Sequence, residues 1–217
     1  MAELDGVGAI SISMTPMSDE QRRELKQKLR GGQAEPEIPF AKPESTTRVF
    51  AVASGKGGVG KSSMTVNLAA ALVQKGLKVG IVDADIYGHS VPSLLGSTAG
   101  PTVLDDEMLL PPISHGIKHI SIGQFVEGNA PVVWRGPMLH RALQQFLADV
   151  FWGDLDVLLL DLPPGTGDIA LSVAQLIPNA ELLIVTTPQA AAAEVAERAG
   201  SISQQTRQRV AGVIENM

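Results

Sequence analysis

Residues 54–63 read SGKGGVGKSS and contain the spacing Gly-x-x-x-x-Gly-Lys-Ser, which is typical of loops that bind phosphate groups. Glycines allow such a loop to turn its backbone N–H groups towards an anion, and the N-terminus of a following helix adds positive potential. Lys61 is therefore expected to reach the β- and γ-phosphates of a nucleotide, and the Ser62 hydroxyl to ligate Mg²⁺. The nucleotide contacts predicted in this loop are Gly55, Lys56, Gly57, Gly58, Val59, Gly60, Lys61, Ser62 and Ser63.

Lys56 is an additional lysine that the phosphate-binding motif does not require. A cation beside the loop would be attracted to a bound phosphate, whether that phosphate lies in the same chain or in a second copy. The residues alone therefore leave open whether Lys56 acts within one chain or between two.

Three aspartates follow apolar runs and are candidates for binding Mg²⁺ or orienting the attacking water. Asp83 and Asp85 end the run KVGIVDAD two residues apart, so their side chains point to the same side of a strand. One of them could hold the water shell of Mg²⁺ and the other could orient the attacking water. Asp161 ends the run LDVLLLD, an arrangement that serves Mg²⁺ in nucleotide hydrolases. The alternatives are a solvated strand end for the first pair and an ordinary strand-to-helix turn for Asp161.

Alternating strands and helices must position these residues. Apolar runs predict strands over 48–54, 78–85, 119–123, 155–162, 180–187 and 209–216, and helices over 61–76, 137–153, 168–176 and 188–202. Because the strands do not alternate in polarity, we expect an α/β fold with a mostly parallel sheet and helices on both faces. Ligands bind such sheets at the carboxyl ends of the strands, where the glycine loop and both acidic clusters fall.

The chain divides by composition into three parts. The pattern of residues 1–31 predicts a short strand over 7–13 and a helix with few apolar residues over 19–30. Since these two elements cannot bury a core by themselves, we interpret residues 1–31 as the remnant of a preceding small α/β domain. Residues 32–46 are rich in Pro, Gly and Glu and predict a linker. Residues 47–217 then form the nucleotide-binding domain.

Composition excludes several classes of function. The net charge of −6 over 217 residues argues against a surface that wraps nucleic acid, and no apolar run is long enough to span a membrane. The first residues lack the pattern of a signal peptide, and the chain contains no cysteine for a disulfide or a thiolate metal site. These observations favour a soluble cytoplasmic protein.

The segment KGGVGKS resembles the deviant Walker A motif of the family that includes MinD, ParA and the nitrogenase iron protein. The segments DADIYGHSVPSLLG, VVWRGPML, WGDLDVLLLDLPPGTGDIALSVAQ, IVTTPQ and GVIENM resemble the Mrp/ApbC branch of that family, the ATP-dependent iron–sulfur cluster carriers. Together these segments span about residues 47–217, and the N-terminal part is similar to the end of the small domain that precedes the ATPase in many members.

The resemblance implies a P-loop NTPase fold and a nucleotide-dependent homodimer in which Lys56 reaches the phosphates of the partner chain. Hydrolysis would then depend on dimerisation, as it does where an arginine is supplied by a second protein. The resemblance also implies that Asp85 activates water, that Asp161 serves Mg²⁺ and that Asn216 contacts adenine. The candidates for Mg²⁺, directly or through water, are then Ser62, Asp83 and Asp161, and the candidates for catalysis are Lys56, Lys61 and Asp85. Without the resemblance, Asn216 is a residue after an apolar strand whose amide could read an adenine edge or face solvent. The expected cofactors are ATP and Mg²⁺, and the expected partners are apo iron–sulfur proteins and cluster scaffold proteins.

The chain departs from this family at its metal ligands. Family members carry Cys-x-x-C shortly after the ENM segment, and two subunits bridge a [4Fe–4S] cluster, whereas this chain ends at Met217 without a cysteine. We therefore expect a fragment that lacks sequence at both ends and the last elements of the fold, binds no cluster itself, and hydrolyses ATP weakly. The alternatives are a MinD- or ParA-type spatial regulator, which needs an amphipathic helix or a basic surface, and a P-loop kinase, against which Lys56 argues.

Overall fold

The computed structural model describes residues 18, 37–85, 88–104, 108–125, 136–165, 168–188, 203 and 206–217. The chain divides into two units, residues 1–35 and 36–217, and the following description concerns the second. The predicted strand over 7–13 and helix over 19–30 lie outside the described residues, as does the predicted helix over 188–202 apart from Pro188.

Nine strands are described, and seven of them form one sheet. They are β1 (Arg48–Ala53), β2 (Val79–Asp83), β3 (Thr102–Leu104), β4 (Met108–Leu110), β5 (Ile113–Ser114), β6 (Ile117–Ser121), β7 (Val157–Asp161), β8 (Glu181–Thr186) and β9 (Val210–Glu215). The order across the large sheet is β5-β6-β2-β7-β1-β8-β9, and only the β5–β6 pair is antiparallel. β3 and β4 form a separate antiparallel pair. The prediction of a mostly parallel sheet is therefore confirmed.

The described helices pack on both faces of the sheet. They are α1 (Lys61–Gln74), α2 (Val91–Leu94), α3 (Gly136–Ala148) and α4 (Asp168–Leu176), with short 3₁₀ turns at Pro39–Ala41 and Ile122–Phe125. Leu158 and Leu160 of β7 pack in one buried cluster with residues of α3 and α4, whereas Leu159 packs in another with residues of α1 and α2. Since neighbouring residues of a strand point to opposite faces, the apolar run of β7 is covered by helices on each side.

The structure differs from the sequence prediction around residues 149–153. α3 ends at Ala148 rather than continuing to Gly153, because the chain turns there and the indole Nε1 of Trp152 donates to the Phe146 carbonyl at 2.9 Å. Trp152 packs against Gly80 of β2, where an added Cβ would lie 2.9 Å from the indole ring. An apolar sequence that continues a helical pattern can therefore leave the helix when a neighbouring strand offers a glycine-lined contact.

The predicted linker also contributes to the core. Ile38 and Phe40 are buried in the cluster that contains α3 and α4, and residues 39–41 form a 3₁₀ turn. The sequence predicts a linker over 32–46 because of its proline and glycine content, but two apolar side chains within it pack on the domain.

The central strands end together and thereby define one edge of the sheet. The register pairs Asp83 of β2 and Val52 of β1 with Asp161 of β7. The ends of these three strands therefore place both acidic clusters and the glycine loop that follows β1 at the same edge, as the sequence predicts.

Candidate functional site

The glycine loop joins β1 to α1 and is held by one buried side chain. Val59 is 2% exposed and packs in a cluster with Val52 and Val185. Gly58 and Gly60 adopt φ angles of +78° and +80°, a left-handed conformation that strains residues with a Cβ. The Gly60 carbonyl accepts a hydrogen bond from the Met64 N–H at 2.9 Å and so opens α1 directly behind the loop.

A cavity of about 270 Å³ lies over this loop. It is lined by residues 57–63 together with Ser54, Asp85, Ser90, Leu94 and Pro164. The cavity has glycine backbone on one side, a helix N-terminus behind it and a carboxylate opposite. Such an arrangement suits a phosphate group, since backbone N–H groups and the helix dipole both favour an anion.

Three side chains of α1 converge on the carboxylate of Asp161, which is fully buried. The Lys61 ammonium donates to Asp161 Oδ1 at 2.8 Å, and the Ser62 hydroxyl donates to Oδ2 at 2.6 Å. The Thr65 Oγ1 lies 2.9 Å from Asp161 Oδ1 and 2.9 Å from the Lys61 carbonyl. The Lys61 side chain is only 6% exposed, so this is a buried ion pair rather than a solvated one.

The oxygens of Ser62 and Asp161 fit a magnesium ion. Mg²⁺ prefers hydroxyl, carboxylate and water oxygens, and Ser62 Oγ and Asp161 Oδ2 already lie 2.6 Å apart beside the loop. The sequence prediction that these two residues share a metal role is thus compatible with their placement.

Asp85 lines the cavity opposite the loop. Its Oδ1 accepts from the Gly88 N–H at 3.0 Å, and its Oδ2 lies 3.9 Å from the Lys61 ammonium. Its side chain is about 10% exposed, so the carboxylate is held close to the surface of the cavity. The predicted role of Asp85 in orienting water stays a prediction.

Asp83 lies deeper than Asp85 and is fully buried. Burial is the main cause that raises the pKa of its carboxyl from 3.8 to about 6, and the neighbouring Asp161 carboxylate raises it further. Hydrogen bonds donated by Val91, Asp85 and Ser121 lower the pKa but do not compensate.

This raised pKa predicts that the Asp83 carboxyl makes folding less favourable as the pH rises from about 4 to about 7. Its protonated form contributes fully below the unfolded value of 3.8, and the contribution is lost as the pH rises through about 6. This pKa shift corresponds to a change of about 3 kcal/mol in the free energy of unfolding. Urea unfolding of wild type and Asp83→Asn across this range should show the wild type losing free energy of unfolding relative to the variant as the pH rises. A difference that stays constant with pH would contradict the assignment.

Asn216 lies next to the glycine loop. Its backbone N–H donates to the Thr186 carbonyl at 2.9 Å, and its side-chain amide donates to the Val59 carbonyl at 2.9 Å. A Cβ on Gly60 would lie 2.5 Å from the Asn216 Nδ2, so Gly60 is needed for this approach as well as for its φ angle. Asn216 is therefore adjacent to the loop, and its predicted contact with adenine stays a prediction.

The remaining predicted loop residues are more open. Lys56, Gly57, Gly58 and Ser63 are exposed, and Gly55 is half-buried. The two lysines of the motif thus face different environments: Lys61 points inward to buried carboxylates, whereas Lys56 is available at the surface.

Three residues of the site have no counterpart in the sequence prediction. Thr65 contacts Asp161, Ser121 donates to Asp83 at 3.0 Å, and the buried Ser54 Oγ has no hydrogen-bond partner among the described residues. The spacing of Thr65 could have identified it, because a residue four positions after Lys61 lies one helical turn further on the same face. Ser54 and Ser121 carry no comparable signal.

Replacing Thr65 with valine should destabilise the protein by about 1–3 kcal/mol. The exchange keeps the side-chain shape but removes the hydroxyl group from a fully buried site beside Asp161. Chemical unfolding measures the effect, and the control is Thr102→Val on the exposed strand β3. Equal unfolding free energies for wild type and Thr65→Val would contradict the role given to this hydroxyl.

Within the described part of the chain, no helix combines the length and the apolar character needed to cross a membrane.

Comparison with protein families assigns most of the chain. The family described as ParA: NUBPL iron-transfer P-loop NTPase matches residues 45–217. Among curated proteins, the iron-sulfur cluster carrier protein of Mycobacterium tuberculosis is 70% identical over 217 residues, which are 100% of this chain and 57% of the relative. The protein of the same name from Bacillus subtilis is 49% identical over 214 residues, 99% of this chain and 60% of the relative. The chain thus spans somewhat more than half the length of these relatives.

Solved structures agree on the fold. A nucleotide-binding protein from Archaeoglobus fulgidus in complex with ADP is 42% identical with a TM-score of 0.67, covering 77% of this chain and 65% of that one. The septum site-determining protein MinD of Pyrococcus horikoshii, complexed with Mg-ADP, is 23% identical with a TM-score of 0.56, covering 78% of this chain and 70% of that one. The second similarity is evidence for the fold alone.

Proposed function

Because this chain belongs to the ParA family of NUBPL-type iron-transfer P-loop NTPases, we propose that it is the ATP-hydrolysing part of an iron–sulfur cluster carrier. The observation that carries the proposal is the convergence of Lys61, Ser62 and Asp161 beside the glycine loop. Phosphate-binding, metal-binding and charge-neutralising groups meet there at the edge of the sheet where nucleotides bind.

Nucleotide binding exchanges one partner of Lys61 for another. The ammonium group pairs with Asp161 and lies 3.9 Å from Asp85, so it neutralises carboxylates that would otherwise repel a triphosphate. When phosphate oxygens enter the cavity, they offer Lys61 a stronger partner than a single carboxylate, while the loop N–H groups hold the remaining charge.

Ser62 and Asp161 would hold Mg²⁺, directly or through water, and a bound Mg²⁺ supplies neutralisation of the charge that develops on the phosphate oxygens. Asp85 accepts a hydrogen bond from the attacking water and thereby orients it towards the γ-phosphate. The products are ADP and phosphate.

A homodimer is part of the proposal. Lys56 is exposed on the glycine loop, whereas Lys61 is buried and lines the cavity, so the two lysines are placed for different roles. We assign Lys56 to the phosphates of the partner chain, where a cation delivered across the interface would make hydrolysis depend on dimerisation. A single chain then hydrolyses ATP only weakly.

The iron–sulfur cluster is cargo in this account, and this chain contributes no ligand to it. Thiolates normally hold such clusters, and none of the 217 residues is a cysteine. We therefore assign cluster binding to the longer protein, in which nucleotide-dependent movement would gate transfer to apo iron–sulfur proteins, with or without scaffold proteins, in the cytoplasm. Nucleic acid and membrane are not among the proposed partners.

The alternative is a spatial regulator of the MinD or ParA type. Similarity to MinD structures at 21–23% identity supports the shared fold and does not extend to that role. The relatives that are 49–70% identical are named as cluster carriers, which favours the first proposal.

Mg²⁺-dependent hydrolysis is the direct test. Purified chain should release phosphate from ATP in the presence of Mg²⁺, and EDTA should abolish the reaction. Ser62→Ala should weaken nucleotide binding at limiting Mg²⁺, while Ser97→Ala, far along the chain from the loop, should leave it unchanged. No binding of ATP or ADP at millimolar concentration would refute the proposal.

A further inference from the structure

We propose that Asp83 is a positioning residue that fixes the segment carrying Asp85, and not a ligand of the magnesium ion. This inference rests on the proposed function, because it concerns how Asp85 is held for hydrolysis. It replaces the expectation from the sequence, in which Asp83 is grouped with Ser62 and Asp161 as a metal residue.

The carboxylate of Asp83 is already occupied by donors of the protein. Its Oδ1 accepts from the backbone N–H of Asp85 at 3.2 Å. Its Oδ2 accepts from the backbone N–H of Val91 at 3.2 Å and from the Ser121 hydroxyl at 3.0 Å. A carboxylate has about four acceptor positions, and three of them are used here inside the protein.

Two of these donors bracket the segment that contains Asp85. The Asp85 N–H lies where the chain leaves β2, and the Val91 N–H lies at the first residue of α2. One buried carboxylate thus accepts hydrogen bonds from the backbone at Asp85 and again at the start of α2. Val91 is itself fully buried and packs with residues of α1, so the anchor connects the segment to the helix that begins at Lys61.

Ser121 connects the same carboxylate to the next strand. β6 pairs with β2 in a register that places Ser121 opposite Asp83, and both residues are fully buried. On the other side, β7 places Asp161 opposite Asp83. Asp83 is therefore in the middle of three strand ends, behind Asp85, and it does not line the cavity over the loop.

Asp85 depends on this anchor for its position. Its carboxylate is held by the Gly88 N–H at 3.0 Å and by Lys61 at 3.9 Å. Its backbone carbonyl accepts from the His89 N–H at 2.7 Å, and its backbone N–H is held by the Asp83 carboxylate on the side of β2. If the Asp83 anchor is removed, Asp85 shifts relative to the γ-phosphate. Displacements of about 1 Å can slow a reaction about 100-fold without changing the affinity for substrate.

Ser121→Ala is the milder of two tests, because it removes one hydrogen bond and keeps the carboxylate. We expect kcat for ATP to fall about threefold to tenfold, while KM and the Mg²⁺ concentration at half-maximal rate stay within about twofold. The matched control is Ser114→Ala, which removes a hydroxyl that lies 3.2 Å from His119 Nε2 on the same side of the sheet. Ser114→Ala should leave all three values unchanged.

Asp83→Asn is the stronger test, because its amide group brings N–H donors to a site that requires an acceptor. We expect kcat to fall at least 30-fold with an unchanged half-saturating Mg²⁺ concentration. Hydrogen exchange gives a readout that does not depend on hydrolysis: the amides of Asp85 and Val91 should exchange faster in both variants, while the amide of Met64 should not change.

Two results would overturn the positioning role of Asp83. A tenfold or larger rise in the half-saturating Mg²⁺ concentration in Asp83→Asn would overturn the inference in favour of a metal role. Unchanged exchange at Asp85 and Val91 would overturn it as well. If wild type neither binds nor hydrolyses ATP, the proposed function fails, whereas the exchange result still tests the anchor.

Discussion

Lys56→Ala is expected to lower the kcat for ATP about 1,000-fold while the affinity of the chain for ATP stays within about threefold of wild type. The reason is the different surroundings of the two lysines of the loop: Lys61 is buried in an ion pair with Asp161, whereas Lys56 is exposed. A cation that completes the site only across a dimer contributes to the transition state and little to binding by one chain. Steady-state kinetics and calorimetric titration measure the two quantities.

The control for charge is Lys75→Ala. Lys75 is also exposed and caps the opposite end of α1, about 20 Å along a helix of this length, so its removal should leave kcat unchanged. Activity of Lys56→Ala that equals wild type, and does not depend on protein concentration, would contradict the role between chains.

A mixing experiment separates action between chains from action within one chain. Lys56→Ala retains Asp85, and Asp85→Asn retains Lys56. In a mixed dimer, one of the two sites then has its own Asp85 and receives Lys56 from the partner. Mixing two nearly inactive variants should therefore restore activity, up to a fraction of wild type set by the share of mixed dimers. If Lys56 acts within its own chain, every site in the mixture lacks one group and no activity returns.

Lys61→Met is expected to abolish ATP binding and also to destabilise the nucleotide-free protein by about 3–5 kcal/mol. The second effect is unusual for a ligand-binding lysine, and it follows from the burial of the pair. Asp161 is fully buried, Asp83 lies opposite it in the register, and the Lys61 ammonium 2.8 Å from Asp161 neutralises this charge. Without the ammonium, a carboxylate stays buried without a cationic partner. Urea unfolding and nucleotide titration measure the two effects.

Two further variants make this prediction specific. Lys61→Arg keeps the positive charge and should lose less free energy of unfolding than Lys61→Met. Lys78→Met removes a lysine whose side chain is 65% exposed and whose ion pair with Asp154 spans 4.0 Å, so its unfolding free energy should change by less than about 1 kcal/mol. An unfolding free energy for Lys61→Met equal to that of wild type would show that the pair with Asp161 does not stabilise the fold.

The sequence predicts the central architecture because the strands are apolar on both faces. The run LDVLLLDL contains β7, and β7 and β2 are each buried at all five positions, so neither strand has the alternating pattern of an amphipathic strand. The glycine spacing predicts the loop between β1 and α1, and Gly60, the second glycine of that spacing, adopts a left-handed angle of +80°.

Other features depend on tertiary contacts between residues that are distant in sequence, which local sequence patterns do not reveal. α3 ends at Ala148, after which residues 149–151 exchange backbone hydrogen bonds with Leu109 of β4 and Trp152 packs against Gly80, and both partners are distant in sequence. The different surroundings of Asp83 and Asp85 arise from Ser121 and Val91, which lie on other elements. Two aspartates separated by one residue look equivalent in the sequence, whereas tertiary packing gives one an internal anchor and the other the cavity.

We propose that the loop hydrolyses Mg·ATP with a lysine supplied by a second chain. The measurement that tests it most directly is the rate of phosphate release per chain as a function of protein concentration at saturating Mg²⁺ and ATP. We expect this specific rate to rise with protein concentration and then to reach a plateau, and we expect Lys56→Ala to remove the rise. A specific rate that is the same at every concentration in wild type, and unchanged in Lys56→Ala, would contradict it.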